Sequence, residues 1–134
     1  DWAAFEEIEI TYQNTDLAFS PNFIGGLNLT YMPIKNLEVS LLPKYVSKQY
    51  LDNTSNEDRM IDAYFISHFR MSYTLENKIG KALSFGILVN NVFNEMYQNN
   101  GYTWGYLVGG DRTDENFYYP QAGRNFLLNV NLKF

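Results

Sequence analysis

The chain has 134 residues, of which 46% are hydrophobic and 17% aromatic, and its net charge at pH 7 is −5. This length suits one domain of ordinary size, and the acidic balance argues against a nucleic-acid binder, which would present a basic face. The chain has no cysteine, which excludes disulfides and thiolate metal sites. No apolar run is long enough to predict a transmembrane helix.

Alternation of apolar and polar residues predicts six β-strands, and no segment has a sustained helical period. In chain order the strands are expected at about Phe5–Gln13, Asn22–Tyr31, Leu37–Tyr50, Ile61–Leu75, Ala82–Phe93 and Arg124–Phe134. Pro43 lies inside the third strand and lacks an N–H donor, so a bulge or a change of phase is expected there. The high content of Tyr and Phe also favours β structure.

The connections between these strands alternate in length. Two are short (Met32–Asn36 and Glu76–Lys81), and three are longer and more polar (Asn14–Pro21, Leu51–Arg59 and Asn94–Gly123). Short turns at one rim and long loops at the other are typical of outer-membrane barrels. Six strands are too few to close such a barrel, and an open sheet would leave backbone groups unpaired in lipid. The chain is therefore predicted to be either part of a larger barrel or a soluble β-sandwich.

Three segments resemble the C-terminal end of a TonB-dependent outer-membrane receptor. Ser20–Asn56 looks like a late hairpin of that barrel. Gly86–Trp104 contains "NVFNEMY", which is similar to the family's "NxFN..Y" segment before the last extracellular loop. Tyr118–Phe134 contains "YPQAGRNF", which is similar to the family's "YP..GR.F" ending.

The resemblance implies that residues 1–134 form about the last six strands of an up-and-down antiparallel transmembrane barrel of about 22 strands. The plug domain and the earlier strands of the family would lie N-terminal to Asp1. The implied function is active uptake, across the bacterial outer membrane, of a scarce nutrient such as an iron chelate, haem or cobalamin. A SusC-like glycan importer and a soluble carbohydrate-binding β-sandwich remain the alternatives.

The resemblance also implies the partners. They are outer-membrane lipid, the barrel assembly machinery, a small-molecule ligand at the extracellular face, and the TonB complex through the N-terminal part. A surface lipoprotein is a further expected candidate, and neither a cofactor nor a metal is expected. An enzyme is not expected, because His68 is the only histidine and the sequence suggests no nucleophile or second base to accompany it.

The last strand carries the most regular pattern. Its alternating apolar residues are predicted to face lipid and, by the resemblance, to be read by the assembly machinery: Phe126, Leu128, Val130, Leu132 and Phe134. Packing of Phe134 in an aromatic girdle at the membrane interface is the simpler alternative. Arg124 is expected to anchor the start of this strand through a carboxylate or a loop carbonyl. The polar side chains expected to face the lumen include Asp62, His68, Arg70 and Lys133.

The long connection Asn94–Gly123 is rich in aromatic residues, and an exposed aromatic cluster predicts a binding surface or a packed lid. Flat rings can stack on sugars or cover an apolar ligand. Tyr97, Tyr118 and Tyr119 are expected to be girdle residues at strand ends. The predicted ligand-binding residues are Tyr102, Trp104, Tyr106 and Arg112. The acidic stretches Asp52–Asp58 and Asp111–Glu115 lack the calcium-loop signature, so we expect them to be solvated.

Overall fold

The computed structural model describes residues 9–76 and 82–134, which form strands and turns with no helix, so these ranges contain no helix able to cross a membrane. The predicted all-β, antiparallel class is confirmed. The strands are β1 Ile24–Gly26, β2 Leu29–Ile34, β3 Leu37–Val46, β4 Gln49–Tyr50, β5 Met60–Ile61, β6 Tyr64–Glu76, β7 Ala82–Asn90, β8 Gln98–Val108, β9 Asp111–Pro120 and β10 Asn125–Lys133.

The main sheet is an antiparallel meander. Strands β3, β6, β7 and β10 lie side by side in that order, and both β1 and β2 pair with the free side of β3. Strands β4 and β5 pair with each other and extend the β3–β6 hairpin beyond the sheet. The chain between β7 and β10 forms a second, separate hairpin, β8–β9.

The register places apolar residues of neighbouring strands in rows. One row runs across the sheet through Leu29, Leu41, Phe69, Val89 and Phe126. We call this side the apolar face; it comprises Leu29, Tyr31, Leu37, Val39, Leu41, Tyr45, Phe65, Phe69, Met71, Tyr73, Leu75, Leu83, Phe85, Ile87, Val89, Phe126, Leu128, Val130 and Leu132.

The opposite side, the polar face, holds cross-strand hydrogen bonds and an ion pair. Thr30 and Ser40 hydroxyls lie 2.9 Å apart, and the Arg70 guanidinium lies 3.4 Å from the Glu38 carboxylate. Leu127 and Leu88 face each other on this side, and Leu127 is the exception to the alternation of the last strand. The two faces thus have opposite chemistry.

The buried apolar residues do not lie on the apolar face. They gather near β4 and β5 and comprise Val46, Tyr50, Leu51, Ile61 and Ile66. By contrast Phe126 is 68% exposed and Leu128 is 73% exposed, and eleven of the nineteen residues of the apolar face are exposed, although Ser67 between Phe65 and Phe69 is fully buried. A sandwich would bury Phe65, Phe85, Leu128 and Leu132 between two sheets; in the described part of the chain all four are exposed.

The prediction of a bulge or a change of phase at Pro43 is wrong. Pro43 pairs with Ser67 in unbroken register with β6. The position of the missing N–H faces β1 and β2 rather than β6. There the Leu27 N–H donates to the Pro43 carbonyl at 3.0 Å, and Pro43 has no N–H to donate in return. Regular pairing therefore lapses between Gly26 and Leu29, so one edge strand is divided into β1 and β2 without a change of register.

Several other predicted elements have different bounds in the structure. Residues 9–13 of the first predicted strand are not in a strand, and the remainder of that prediction lies outside the described residues, as does most of the turn Glu76–Lys81. The third predicted strand divides at Ser47–Lys48. The loop predicted at Asn94–Gly123 is largely the β8–β9 hairpin. Its turn residues Gly109 and Gly110 have φ of 63° and 94°, which two-residue hairpin turns require.

Candidate functional site

Five aromatic side chains share one side of the β8–β9 hairpin, which we call the aromatic face: Tyr102, Trp104, Tyr106, Phe117 and Tyr119. Tyr102 and Phe117 are cross-strand partners whose rings stack at 4.8 Å, and Trp104 and Tyr106 approach to 5.1 Å. Trp104 is 58% exposed. Such a surface offers flat rings to a ligand face.

The hairpin brings together three of the four predicted ligand residues. Tyr102, Trp104 and Tyr106 alternate along β8 and so point to one side. Arg112 pairs with Leu107 and projects to the other side, where its Nε donates to Asp114 Oδ1 at 2.9 Å. Arg112 still borders a surface cavity of about 360 Å³, which is lined by Ile10, Gly105, Tyr106, Leu107 and Arg112.

Two further aromatic residues lie on this face although neither is among the predicted ligand-binding residues. Phe117 has no predicted role, and Tyr119 is predicted to be a girdle residue at a strand end. Counting residues back from the Gly109–Gly110 turn gives the cross-strand pairs, and so would have placed both beside Tyr102. The signal was present in the sequence, since two glycines between alternating runs predict a hairpin.

The other side of the hairpin packs on β5 and the residues before it. Three alternating residues of β9 contact three consecutive residues there. Asn116 donates to the Asp58 carbonyl at 2.6 Å, and the Tyr118 hydroxyl donates to the Met60 carbonyl at 3.0 Å. Asp114 lies 3.9 Å from Arg59 Nε. These contacts hold the hairpin so that its aromatic face points away from β5.

Arg59 is at the centre of this contact and is only 5% exposed. Its guanidinium donates to Asp52 Oδ2 at 2.6 Å, while Asp114 lies on the Nε side and also binds Arg112. The side chains of Asp52 and Asp114 are 24% and 25% exposed. The expectation that both acidic stretches are solvated is therefore wrong for Asp52, whereas Asp114 is an exposed residue whose side chain is partly covered. Both carboxylates help to neutralise a buried cation.

Two of the three segments that resemble the receptor family, Gly86–Trp104 and Tyr118–Phe134, meet between β7 and β10. The Asn91 side chain is buried and donates to the carbonyls of Glu95 and Ala122 at 2.8 and 3.3 Å. The Arg124 N–H donates to Asn94 Oδ1 at 2.8 Å, and the Arg124 guanidinium donates to the Val92 carbonyl at 3.3 Å. A loop carbonyl was one of the two partners expected for Arg124. These bonds fix the point where the last strand begins.

The register of the main sheet assigns most of the remaining predicted residues to one of its two faces. Phe126, Leu128, Val130 and Leu132 lie on the apolar face, and Phe134 follows β10 at 88% exposure. His68, Arg70 and Lys133 lie on the polar face, and His68 Nδ1 accepts a hydrogen bond from the Asn91 N–H at 3.4 Å. Asp62 lies in the connection between β5 and β6 instead. Within the described ranges no group of three or more metal-ligating side chains is assembled.

An exposed ion pair links the two sides of the β4–β5 hairpin. Lys48 donates a hydrogen bond to the Glu57 carboxylate, and Tyr50 donates to the same oxygen at 3.0 Å. The bond from Lys48 is the main cause that lowers the pKa of Glu57 below its ordinary value, and the bond from Tyr50 is the second cause. The same bond raises the pKa of Lys48.

Lys48→Met is expected to bring the pKa of Glu57 back up towards its ordinary value. Because the pKa of Glu57 is lower in the folded protein, its pairing stabilises the fold above the unfolded-state pKa, and that stability is lost as the pH falls through the folded-state pKa. Carboxyl chemical shifts followed by NMR during an acid titration measure this. Lys44→Met, which removes a cation without a bond to Glu57, is the control, and an unchanged Glu57 titration in Lys48→Met would contradict the assignment.

The described residues thus present three connected features: an uncovered apolar face, a polar face, and a hairpin whose aromatic face is held outward. No family model matches the chain, and no curated protein and no solved structure matches it either.

Proposed function

We propose that this chain is the C-terminal part of a transmembrane β-barrel in a bacterial outer membrane, from an active transporter of the TonB-dependent receptor class. The observation that carries the proposal is the uncovered apolar face, which runs across the whole main sheet. Soluble monomers rarely expose a contiguous apolar patch larger than a few hundred Å². Lipid is the simplest cover for it.

The dimensions of the apolar face support this proposal. On β6 it extends from Phe65 to Leu75, which is about 33 Å along the strand at roughly 3.3 Å per residue. At a strand tilt of about 40°, this corresponds to a height of about 25 Å, the height of the apolar band of outer-membrane barrels. One end of the face carries a row of aromatic residues. The ring centroids of Phe23 and Tyr45 lie 6.2 Å apart, as do those of Phe65 and Phe93. Aromatic girdles occupy the same level in such barrels.

The edges of the main sheet indicate what else the proposal needs. In the described residues, β10 pairs only with β7, and β1 and β2 pair only with β3. Open edges in hydrocarbon leave backbone N–H and C=O groups unsatisfied at a cost of several kcal/mol each. We therefore propose that further strands flank both edges and complete a barrel of about 22 strands. The polar face would then line the lumen and contact a plug domain.

The connections favour one orientation. The segment between β4 and β5 and the β8–β9 hairpin extend from the same end of the sheet, where they contact each other, whereas Lys35–Asn36 makes a tight turn at the other end. Long extensions belong on the extracellular side. The aromatic face would there contact the nutrient, and an iron chelate, haem or cobalamin would offer the flat or apolar surface that such rings bind. Coupling to TonB would need the N-terminal part.

A soluble carbohydrate-binding module is the second candidate, because the aromatic face is also suited to stacking on sugars. A SusC-like glycan importer would use the same feature within a barrel. The soluble module requires a second sheet over the apolar face, and no described residue supplies one.

Lipid contact at single positions tests the proposal. These 134 residues contain no cysteine, so Leu128→Cys and Leu127→Cys each add one labelling site to them, on the apolar and polar faces respectively. With an environment-sensitive fluorophore, and the protein in the membrane of the cells that produce it, brominated lipids should quench the label at 128 and leave the label at 127 bright. Equal quenching at the two positions, or recovery of the protein in the aqueous fraction, would refute the membrane proposal.

A further inference from the structure

One dipeptide in β8 has the chemistry of a self-modifying site. Asn100–Gly101 is the only Asn–Gly pair in the chain. An asparagine loses its side-chain amide when the backbone nitrogen of the next residue attacks its Cγ. A side chain on that next residue hinders the approach, and glycine has none.

The structure places the reacting groups together. The Gly101 backbone N–H donates to Asn100 Oδ1 at 2.8 Å, and Cγ, the carbon to be attacked, is bonded to that oxygen. Asn100 is exposed, so water can reach its side chain, whereas Gly101, whose N–H loses its proton in the reaction, is buried. Pairing between β8 and β9 is irregular between Gln98 and Gly101, so Asn100 lies outside the regular ladder, which resumes at the pair of Gly101 and Tyr118.

Neighbouring asparagines lack this arrangement. Asn91 Oδ1 accepts from the Glu95 N–H, and Asn94 Oδ1 accepts from the Arg124 N–H. Neither carbonyl faces the nitrogen of the residue that follows it, and the following residues, Val92 and Glu95, carry side chains.

We propose that Asn100 is a site of spontaneous, base-catalysed deamidation in the folded protein. Hydroxide removes the Gly101 amide proton, the nitrogen forms a bond to Asn100 Cγ, and the Cγ–Nδ2 bond breaks to release ammonia. Water then opens the five-membered succinimide at one of its two carbonyl carbons, which yields aspartate or isoaspartate. No oxidant and no cofactor takes part.

The modification would loosen the hairpin. Isoaspartate inserts one methylene into the β8 backbone next to Gly101, where space is absent. A Cβ added at Gly101 would lie 2.6 Å from the Phe117 carbonyl oxygen and 3.2 Å from Leu51 Cδ2. The longer backbone must therefore push β8 away from β9 or from Leu51. Both products also add a negative charge to a chain whose net charge is already −5.

Timed incubation and peptide mass spectrometry test the proposal. Trypsin releases Ala82–Arg112, which contains Asn100 and four other asparagines as internal references. In the folded protein at mildly alkaline pH, we expect Asn100 to convert before the other four, at least as fast as in the same chain unfolded in urea, and more slowly in mildly acidic buffer. Isoaspartyl methyltransferase labelling should identify the isoaspartate product.

Two variants complete the test. Asn100→Gln should abolish the reaction, because the longer side chain would need a larger ring, and Asn99→Gln should leave it unchanged. The proposal is overturned if the folded protein keeps Asn100 intact while the unfolded chain deamidates, or if another asparagine converts first.

Discussion

Leu128→Arg is expected to destabilise the protein in its membrane by about 2–4 kcal/mol, the cost of a cation near the bilayer midplane on the lipid side of a barrel. Leu128 lies in the row that joins Ile87, Met71 and Val39, halfway along the apolar face. Its side chain is 73% exposed, so the larger side chain meets no steric obstacle in the described residues. The penalty would come from desolvating the guanidinium.

The adjacent residue provides a matched control. Leu127→Arg makes the same chemical change one residue earlier, on the polar face, where Leu127 is 58% exposed. If that face lines an aqueous lumen, the cation stays hydrated and Leu127→Arg should cost little. The measurements are the amount of folded protein in the outer membrane and the denaturant midpoint in lipid vesicles. Equal losses in the two variants would contradict a lipid-facing apolar surface.

The main sheet was predictable because its signal is local. Two-residue alternation in β6 and β10 assigns each side chain to a face, and a slip of one residue would invert every assignment. Thus the sequence predicts that Leu132 and Lys133 lie on opposite faces, and the register agrees. The effect of Pro43 was harder to place, because the sequence does not say which neighbouring strand its missing N–H faces.

The candidate site was less predictable. Tyr102, Trp104 and Tyr106 were selected by composition, but Phe117 and Tyr119 join them only through cross-strand register. From the sequence, the carboxylates of Asp52 and Asp114 are predicted to be solvated. The sequence does not reveal their shared contact with Arg59, because Arg59 approaches Asp114 only when the hairpin folds back onto β5. Contacts between residues far apart in the sequence leave no periodic signal. The Gly109–Gly110 pair, by contrast, is a local signal that predicts the hairpin turn.

Arg59→Met is expected to lower the free energy of unfolding by about 3 kcal/mol, at the lower end of the range for losing one partner of a buried ion pair. The lower end applies because Asp52 and Asp114 each keep about a quarter of their side-chain exposure and can be partly rehydrated. Without Arg59, Asp52 loses its 2.6 Å bond and Asp114 keeps only Arg112. Two carboxylates would then lie close together without their shared cation.

Comparison with an exposed ion pair separates the effect of burial on the free energy of unfolding from the effect of losing a charge. Lys35 lies 3.7 Å from Glu76, and the two side chains are 85% and 59% exposed, so Lys35→Met should cost less than about 1 kcal/mol. Denaturant unfolding of each variant gives the two free energies. Equal effects for Arg59→Met and Lys35→Met would mean that the buried cluster contributes no more than a surface pair.

A double-mutant cycle with Asp52→Asn then isolates the bond itself. The asparagine keeps the shape of Asp52 but removes its charge, so Arg59→Met should cost less in that background, with a coupling of about 0.5–3 kcal/mol between contacting charges. The same variants should free the β8–β9 hairpin, because Asp114 is one of its three contacts with residues 58–60. Faster proteolysis at the Gly109–Gly110 turn in Arg59→Met, but not in Lys35→Met, would show that Arg59 holds the aromatic face in position. Additive effects with unchanged proteolysis would show that the other contacts of the hairpin, including those of Asn116 and Tyr118, hold it without Arg59.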